Sequence, residues 1–301
     1  MSNILITVVG PTAIGKTALS IQLAEHFKTE ILSADSRQFF KEMKIGTAVP
    51  SSDEMAAARH HFIQHIAISE EYSVGHYERE ALQKLNELFT TYNQLVLVGG
   101  SGLYVDAVLK GLDYFPDVKE GTREQLQELQ KKEGDTALQE MLKKLDPIYY
   151  EEVDIYNTQR VMRALEVCVS SGNTFSSYRN KPKTSRNFQS IKIGLTADRE
   201  IIYDRINRRV DIMMEEGLLE EVQGLLSRKH KNALQTVGYR ELFEYLEGDV
   251  SLEQAVENIK TNTRRFAKRQ LTWFRKDETT KWFDYQTPLS EIIDYIQKMH
   301  S

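Results

Sequence analysis

Residues 4–9 are apolar with almost no polar alternation, the pattern of a strand covered on both faces, and over 17–27 apolar residues recur at helical spacing. Two further strand patterns, 30–34 and 95–98, each run into polar or glycine-rich residues, where a parallel sheet presents its carboxyl edge. Strands alternating with helices predict an α/β fold, a parallel-sheet core flanked by helices. The texture changes near Asp113. Residues 121–145 are charged and Gln-rich, with Leu126, Leu129, Leu138, Leu142 and Leu145 spaced as on amphipathic helices. Strand character returns only at 190–195, after the loop-like run 180–185. An all-α insertion domain is therefore expected over 113–186, within a core made of 1–112 and 187–301. Residues 199–226 and 251–274 read as further helical segments.

Composition narrows the class. With 41% hydrophobic and 28% charged residues in 301, the chain is neither disordered nor fibrous. A net charge of −5 excludes a uniformly basic nucleic-acid coat, so any nucleic-acid contact must be local. The one cysteine, Cys168, forms no internal disulfide and builds no zinc or iron–sulfur site by itself. No basic segment precedes the first apolar run, and no run approaches the roughly 18 apolar residues that span a bilayer. A cytoplasmic protein without membrane association is expected.

Between the first strand and helix lie Gly10, Pro11, Thr12, Ala13, Ile14, Gly15, Lys16 and Thr17, which fit the P-loop pattern GxxxxGK[ST]. Its glycines let backbone N–H groups curl around phosphate oxygens, its lysine neutralises charge, and its hydroxyl ligates Mg²⁺. The same loop serves ATPases, small-molecule kinases and other transferases. Motor ATPases usually end a core strand on an acidic residue, but residues 95–98 end in Gly99-Gly100-Ser101-Gly102, which argues against hydrolysis. Those glycines either admit a second substrate or make a tight turn. The strand at 30–34 delivers Asp35 to the same edge, as a base facing the cradle or as the N-cap of a following helix. Arg205 and Arg209, one helical turn apart, either grip the phosphates or lie on a solvated face.

Two basic stripes follow. Arg160, Arg163, Arg179, Lys181, Lys183 and Arg186 face the single acid Glu166 within 158–186. Lys260, Arg264, Arg265, Lys268, Arg269, Arg275 and Lys276 face only Glu257 within 257–276, interleaved with Phe266, Trp273 and Phe274. Each alone reads as a solvated helix face, but beside a phosphate site they favour RNA. His61 and His65 have i, i+4 spacing without the glutamate of a zincin helix, so no metal role is expected of them.

Taken in order, Gly10 to Thr17, Ser33 to Gln38, Val98 to Tyr104, Arg160 to Glu166, Arg205 to Asp211 and Thr263 to Arg275 resemble the tRNA dimethylallyltransferase family, and the similarity covers nearly the whole chain. The resemblance implies transfer of a dimethylallyl group from dimethylallyl diphosphate to the exocyclic amine of the adenosine 3′ of the tRNA anticodon. It further implies that Asp35 is the general base and that Lys16 and Thr17 manage the diphosphate and Mg²⁺. Asp35, Ser36, Arg37 and Gln38 would touch the target nucleotide, and Ser101, Arg123, Gln159, Arg160, Val161, Met162 and Arg163 would also meet the tRNA. From the residues themselves, the second stripe, with Arg264 and Lys268, would add backbone contacts.

Chemistry agrees with those roles. An adenine amine is a poor nucleophile, because its lone pair is delocalised into the ring, so a carboxylate base is worth about 10²- to 10⁴-fold. Reaction requires the adenosine to leave its stack, and the insertion would grip the anticodon stem-loop by shape and phosphates. A monomer is expected, since the tRNA itself bridges the two parts. The rivals are a P-loop small-molecule kinase using ATP and a non-catalytic RNA scaffold.

Overall fold

The first apolar run forms β1 (Ile4–Val9), every residue of it buried. Ile4, Ile6 and Val8 enter one hydrophobic layer, and Leu5 and Val9 the layer on the opposite face. A strand sandwiched this way needs no polar side, which is why its sequence does not alternate. The structure is a computed structural model describing residues 3–180 and 185–300. The core continues through α1 (Lys16–Phe27), β2 (Ile31–Ser33), α2 (Ser52–Ala57), β3 (His60–His61), α3 (Val74–Leu88), β4 (Gln94–Val98) and α4 (Gly102–Lys110). The insertion carries α5 (Thr122–Glu133), α6 (Asp135–Leu145), α7 (Pro147–Glu152) and α8 (Thr158–Ser171). The chain then re-enters the core through β5 (Gln189–Thr196), α9 (Arg199–Glu215), α10 (Leu218–Leu225), α11 (Tyr239–Leu246), α12 (Leu252–Phe274), β6 (Lys281–Asp284) and α13 (Leu289–His300).

Among the described residues the sheet has six strands in the order β3-β2-β4-β1-β5-β6, with every pairing parallel. The ends of β1, β2 and β4 therefore open on one edge, and the loops that follow them meet there. One face of the sheet packs on α1, α9 and α13 through Leu19, Leu23, Ile202, Ile206 and Ile296. The other packs on α3 and α4 through Tyr77, Ala81, Leu85, Val105 and Val108.

Contacts divide the chain into two compact units, Gly111–Ser185 and the remainder. The first has its own core, in which Leu126, Leu138 and Leu142 pack against Tyr149, Val161, Met162, Leu165 and Phe175. Leu145, read as part of that apolar face, is instead 40% exposed at the end of α6.

Several local expectations change. The helical segment 199–226 breaks between α9 and α10 at Gly217, whose φ of 100° suits glycine. No helix follows Asp35, so it caps none; its Oδ1 accepts the Arg37 N–H at 3.2 Å and closes a turn. His61 lies in β3 and bonds Glu30 Oε2 at 2.6 Å, so no helix carries it with His65. Strands β3 and β6 have no counterpart in the hydrophobic pattern. Each is short and lies at a sheet edge, and of their residues only Phe283 is buried.

Candidate active site

After β1 the backbone turns through Ala13 and Gly15, with φ of 64° and 110°, before α1 starts at Lys16. That turn and the first turn of α1 leave backbone N–H groups without helical partners, and the positive end of the helix dipole lies there too. Gly10 is required by its surroundings, since a Cβ there would lie 2.6 Å from the Leu195 carbonyl oxygen at the end of β5. Lys16 Nζ donates to Pro11 O at 2.9 Å, and Arg205 Nε braces the loop by donating to Ala13 O at 2.7 Å.

A cavity of about 760 Å³ opens at this edge, walled in part by Gly15, Lys16, Thr17, Asp35, Gln38 and Arg209. The cations crowd one another. Burial brings the Lys16 pKa down to about 8, with Asp35 opposing that shift and Arg209 adding to it. Burial also lowers the Arg209 pKa, the neighbouring Arg205 adding and Asp35 opposing. Buried cations in mutual repulsion are relieved by an anion among them. Arg205 and Arg209, left open by the sequence, are thus split: one braces the loop and the other faces the cavity.

Asp35 shares the cavity wall with Lys16. Neighbouring loops hold its turn in place: Ser101 Oγ accepts the Ser36 N–H at 3.1 Å and shares a hydrogen bond with Ser36 Oγ at 3.0 Å. Gln38 Nε2 donates to Ala48 O at 2.8 Å and to Thr47 O at 3.3 Å, fixing part of the cavity wall. The Arg37 guanidinium stacks 4.2 Å from the Phe266 ring centre. The glycines at 99, 100 and 102 admit protein neighbours: a Cβ would overlap Ala34 at Gly99, Gln270 at Gly100 and Trp273 at Gly102. A second cavity of about 70 Å³ shares Thr12, Asp35 and Arg209 with the first and is otherwise lined largely by apolar groups, Ile206, Val210, Val237 and Phe266 among them.

In the insertion, Gln159, Arg160 and Arg163 of α8 are exposed, whereas the Val161 and Met162 side chains are buried in its core. An amphipathic helix cannot turn five consecutive residues outward. Arg123 and Arg163 both pair with the buried Glu166, at 2.7 and 3.3 Å, and Arg123 also reaches Gln159 at 3.3 Å. Of the first stripe, Arg179 pairs with Glu152, and Arg186 is engaged by Glu78 and the Ala107 and Val108 carbonyls. Lys181 and Lys183 lie outside the described residues. On the second stripe, Lys268 is exposed, while Arg264 donates to Asn207 Oδ1 at 2.7 Å and Thr261 Oγ1 at 2.8 Å. Phe274 is core at 3% exposure, and Trp273 is 39% exposed with its N–H on Asp106.

Three parts of the site are given no role by the sequence, although the first of them lies within the run Thr263 to Arg275. Gln270 of α12 bonds both the cradle and the glycine loop. Glu221 of α10 accepts the N–H groups of Lys44, Ile45 and Gly46, and so supports the wall at 44–54. His60 lines the cavity with an unpaired Nε2. Glu221 comes from a segment whose pattern speaks only of helix, His60 from one with no strand pattern, and Gln270 from a run whose basic residues alone drew a reading.

A family model described as IPP transferase matches residues 38–277. The tRNA dimethylallyltransferase of Flavobacterium johnsoniae is 60% identical over 298 residues, 97% of this chain and 96% of that protein. That of Christiangramia forsetii is 57% identical over 99% of this chain and 98% of its own length. Among solved structures, the full-length tRNA isopentenylpyrophosphate transferase of Bacillus halodurans superposes with a TM-score of 0.74 at 37% identity, over 99% of this chain and 96% of that one. A eukaryotic dimethylallyltransferase acting on tRNA gives 0.81 at 28% identity, over 95% of this chain and 75% of that one. These matches set aside the kinase reading, and with most of its length covered by the family model and more than half of its positions shared with full-length relatives, this chain belongs to the IPP transferase family, the tRNA dimethylallyltransferases.

Proposed function

We propose that this cavity transfers a dimethylallyl group from dimethylallyl diphosphate to the exocyclic amine of the adenosine 3′ of the tRNA anticodon, with Asp35 as the base. The observation that carries the assignment is the placement of Asp35 on the wall of the same cavity as Gly15, Lys16 and Thr17. The diphosphate lies against the loop amides, Lys16 and Arg209, and the prenyl chain takes the apolar space beside Asp35. Asp35 accepts a proton from the amine as the new C–N bond forms. The allylic C–O bond breaks, and its electron pair leaves with the diphosphate, whose growing charge is opposed by Lys16, Arg209 and the loop amides.

Thr17 fits a magnesium ion. Its hydroxyl stands on the first turn of α1 at the cavity wall, and Mg²⁺ commonly takes one or two protein oxygens, with diphosphate oxygens and water completing the shell. When bound, the ion neutralises leaving-group charge.

The adenosine reaches Asp35 flipped out of its stack, met by Ser36, Arg37, Gln38 and Ser101. Arg123, Gln159, Arg160 and Arg163 of the unit at 111–185 take the anticodon stem-loop, and Lys268 adds a backbone contact. Among the described residues no helix is long and apolar enough to cross a membrane. A tRNA substrate supports a cytoplasmic setting for this enzyme, which we read as a monomer. Mass analysis of tRNA nucleosides after incubation with dimethylallyl diphosphate is expected to show prenylated adenosine. Asp35→Asn should lower single-turnover transfer by about 10²- to 10⁴-fold with pyrophosphate binding retained. Undiminished transfer in that variant would remove Asp35 from the role.

A further inference from the structure

Gln270 stands on the last turns of α12 with 5% of its surface exposed, and both ends of its amide are used. Oε1 accepts the Thr12 N–H at 2.8 Å, and Nε2 donates to Gly100 O at 2.9 Å. One side chain thus links the phosphate cradle to the loop after β4, although it lies 258 residues from the first partner and 170 from the second. The far side of that loop holds the base: Ser101 Oγ takes the Ser36 N–H, and a Cβ at Gly100 would lie 3.5 Å from Asp35 Oδ2 while overlapping Gln270 Nε2. The path from cradle to carboxylate therefore runs Thr12, Gln270, Gly100, Ser101, Ser36, Asp35.

The helix supplying Gln270 is itself anchored on both sides. One turn earlier, Phe266 lies beneath the Arg37 guanidinium; one turn later, Trp273 packs over Gly102 and donates to Asp106 Oδ2 at 2.9 Å. At i, i+4 and i+7 these three residues share a helical face, so α12 presents a rigid edge to the loops of the site. A primary amide suits the link because it offers a donor and an acceptor at one end. A carboxylate would lose the donor and add charge beside Asp35.

We propose that Gln270 is a positioning residue for prenyl transfer, its amide setting the separation between the phosphate cradle and the Asp35 carboxylate. In-line displacement requires amine, allylic carbon and leaving oxygen to be aligned, and a shift of about 1 Å in such a geometry costs roughly 10²-fold in rate. The inference rests on the functional reading above. It goes further in naming what holds the base and the leaving-group site in register.

Two substitutions test it, read by single-turnover prenyl transfer to tRNA, by pyrophosphate binding and by pH profile. Gln270→Met keeps the length and removes both hydrogen bonds; it should slow transfer by about 10- to 100-fold with the pyrophosphate Kd within about twofold of wild type. Gln270→Glu can make both bonds only as the neutral acid, a form favoured by burial and by the Asp35 charge. Its rate relative to wild type should climb as pH falls from about 8.5 to 6.5, whereas the ratio for Gln270→Met stays flat. A rate within about twofold of wild type for Gln270→Met, or the same pH-independent loss in both variants, overturns positioning and leaves only space-filling. Wild-type protein that prenylates no tRNA overturns the functional reading itself, a result distinct from either.

Discussion

Lys16 shows how one residue is tuned by what surrounds it. With its pKa brought down to about 8, the ammonium is partly neutral in weakly alkaline solution, and an anion bound beside it would restore its charge by proton uptake. The affinity for inorganic pyrophosphate should therefore fall above about pH 8, by at most about tenfold per unit, when wild type is compared with Lys16→Met by calorimetry. A pH-independent ratio between the two would remove Lys16 from the anion site. The same shift bears on stability. A base whose pKa is lowered on folding penalises the folded state fully below the lowered value, and the penalty is relieved as pH rises towards 10.5. Lys16→Met should accordingly melt higher than wild type at pH 7 while losing activity, the usual exchange at a functional site. Asp35 was legible as a candidate from its place after a strand, but whether it capped a helix or faced the cradle was decided by the turn that follows it.

Between elements, the end of α12 is tied to β5 and α4 through Asp277. Its carboxylate accepts Lys192 Nζ at 2.6 Å, Lys110 Nζ at 3.1 Å and Thr279 Oγ1 at 2.6 Å. Burial alone would raise the Asp277 pKa, but the hydrogen bonds from Lys192, Thr279 and Lys110 hold it well below the usual carboxylate range. Lys192 is itself buried within β5, so removing its partner strands a charge. Asp277→Asn is expected to cost about 3 kcal/mol by urea denaturation at pH 7. For a carboxyl depressed on folding, the stability is present above its ordinary value of 3.8 and is lost as pH falls below that value. The gap between wild type and Asp277→Asn should close over that acid range; a constant gap would mean that ionisation of Asp277 is not its source. A charged residue within a strand pattern gave no hint of this strap, because its partners sit far along the chain.

At the scale of the whole molecule, the net charge of −5 leaves RNA binding to local cations, and tertiary partners decide which cations are available. Arg179 and Arg186 look unopposed in a window of sequence, yet Glu152 and Glu78 engage them. Lys268→Ala should weaken tRNA binding and lower the slope of log Kd against log salt by about 0.9. Arg264→Ala should leave that slope unchanged and instead cost about 1 kcal/mol of stability, since its guanidinium is bonded to Asn207 and Thr261. Equal slopes for wild type and Lys268→Ala would take Lys268 off the RNA path. By itself the sequence determined the alternation of buried strands and helices, the glycine turn between β1 and α1 and the helical insertion, because each is written in the spacing of neighbouring residues. Only the tertiary structure decided that Gln270 meets Thr12 and Gly100, that Glu221 holds the loop amides at 44–46, and that Val161 and Met162 face inward. Hydrogen bonds and ion pairs between residues far apart in sequence leave no period in the chain, and they form only once the sheet brings its strand ends to one edge.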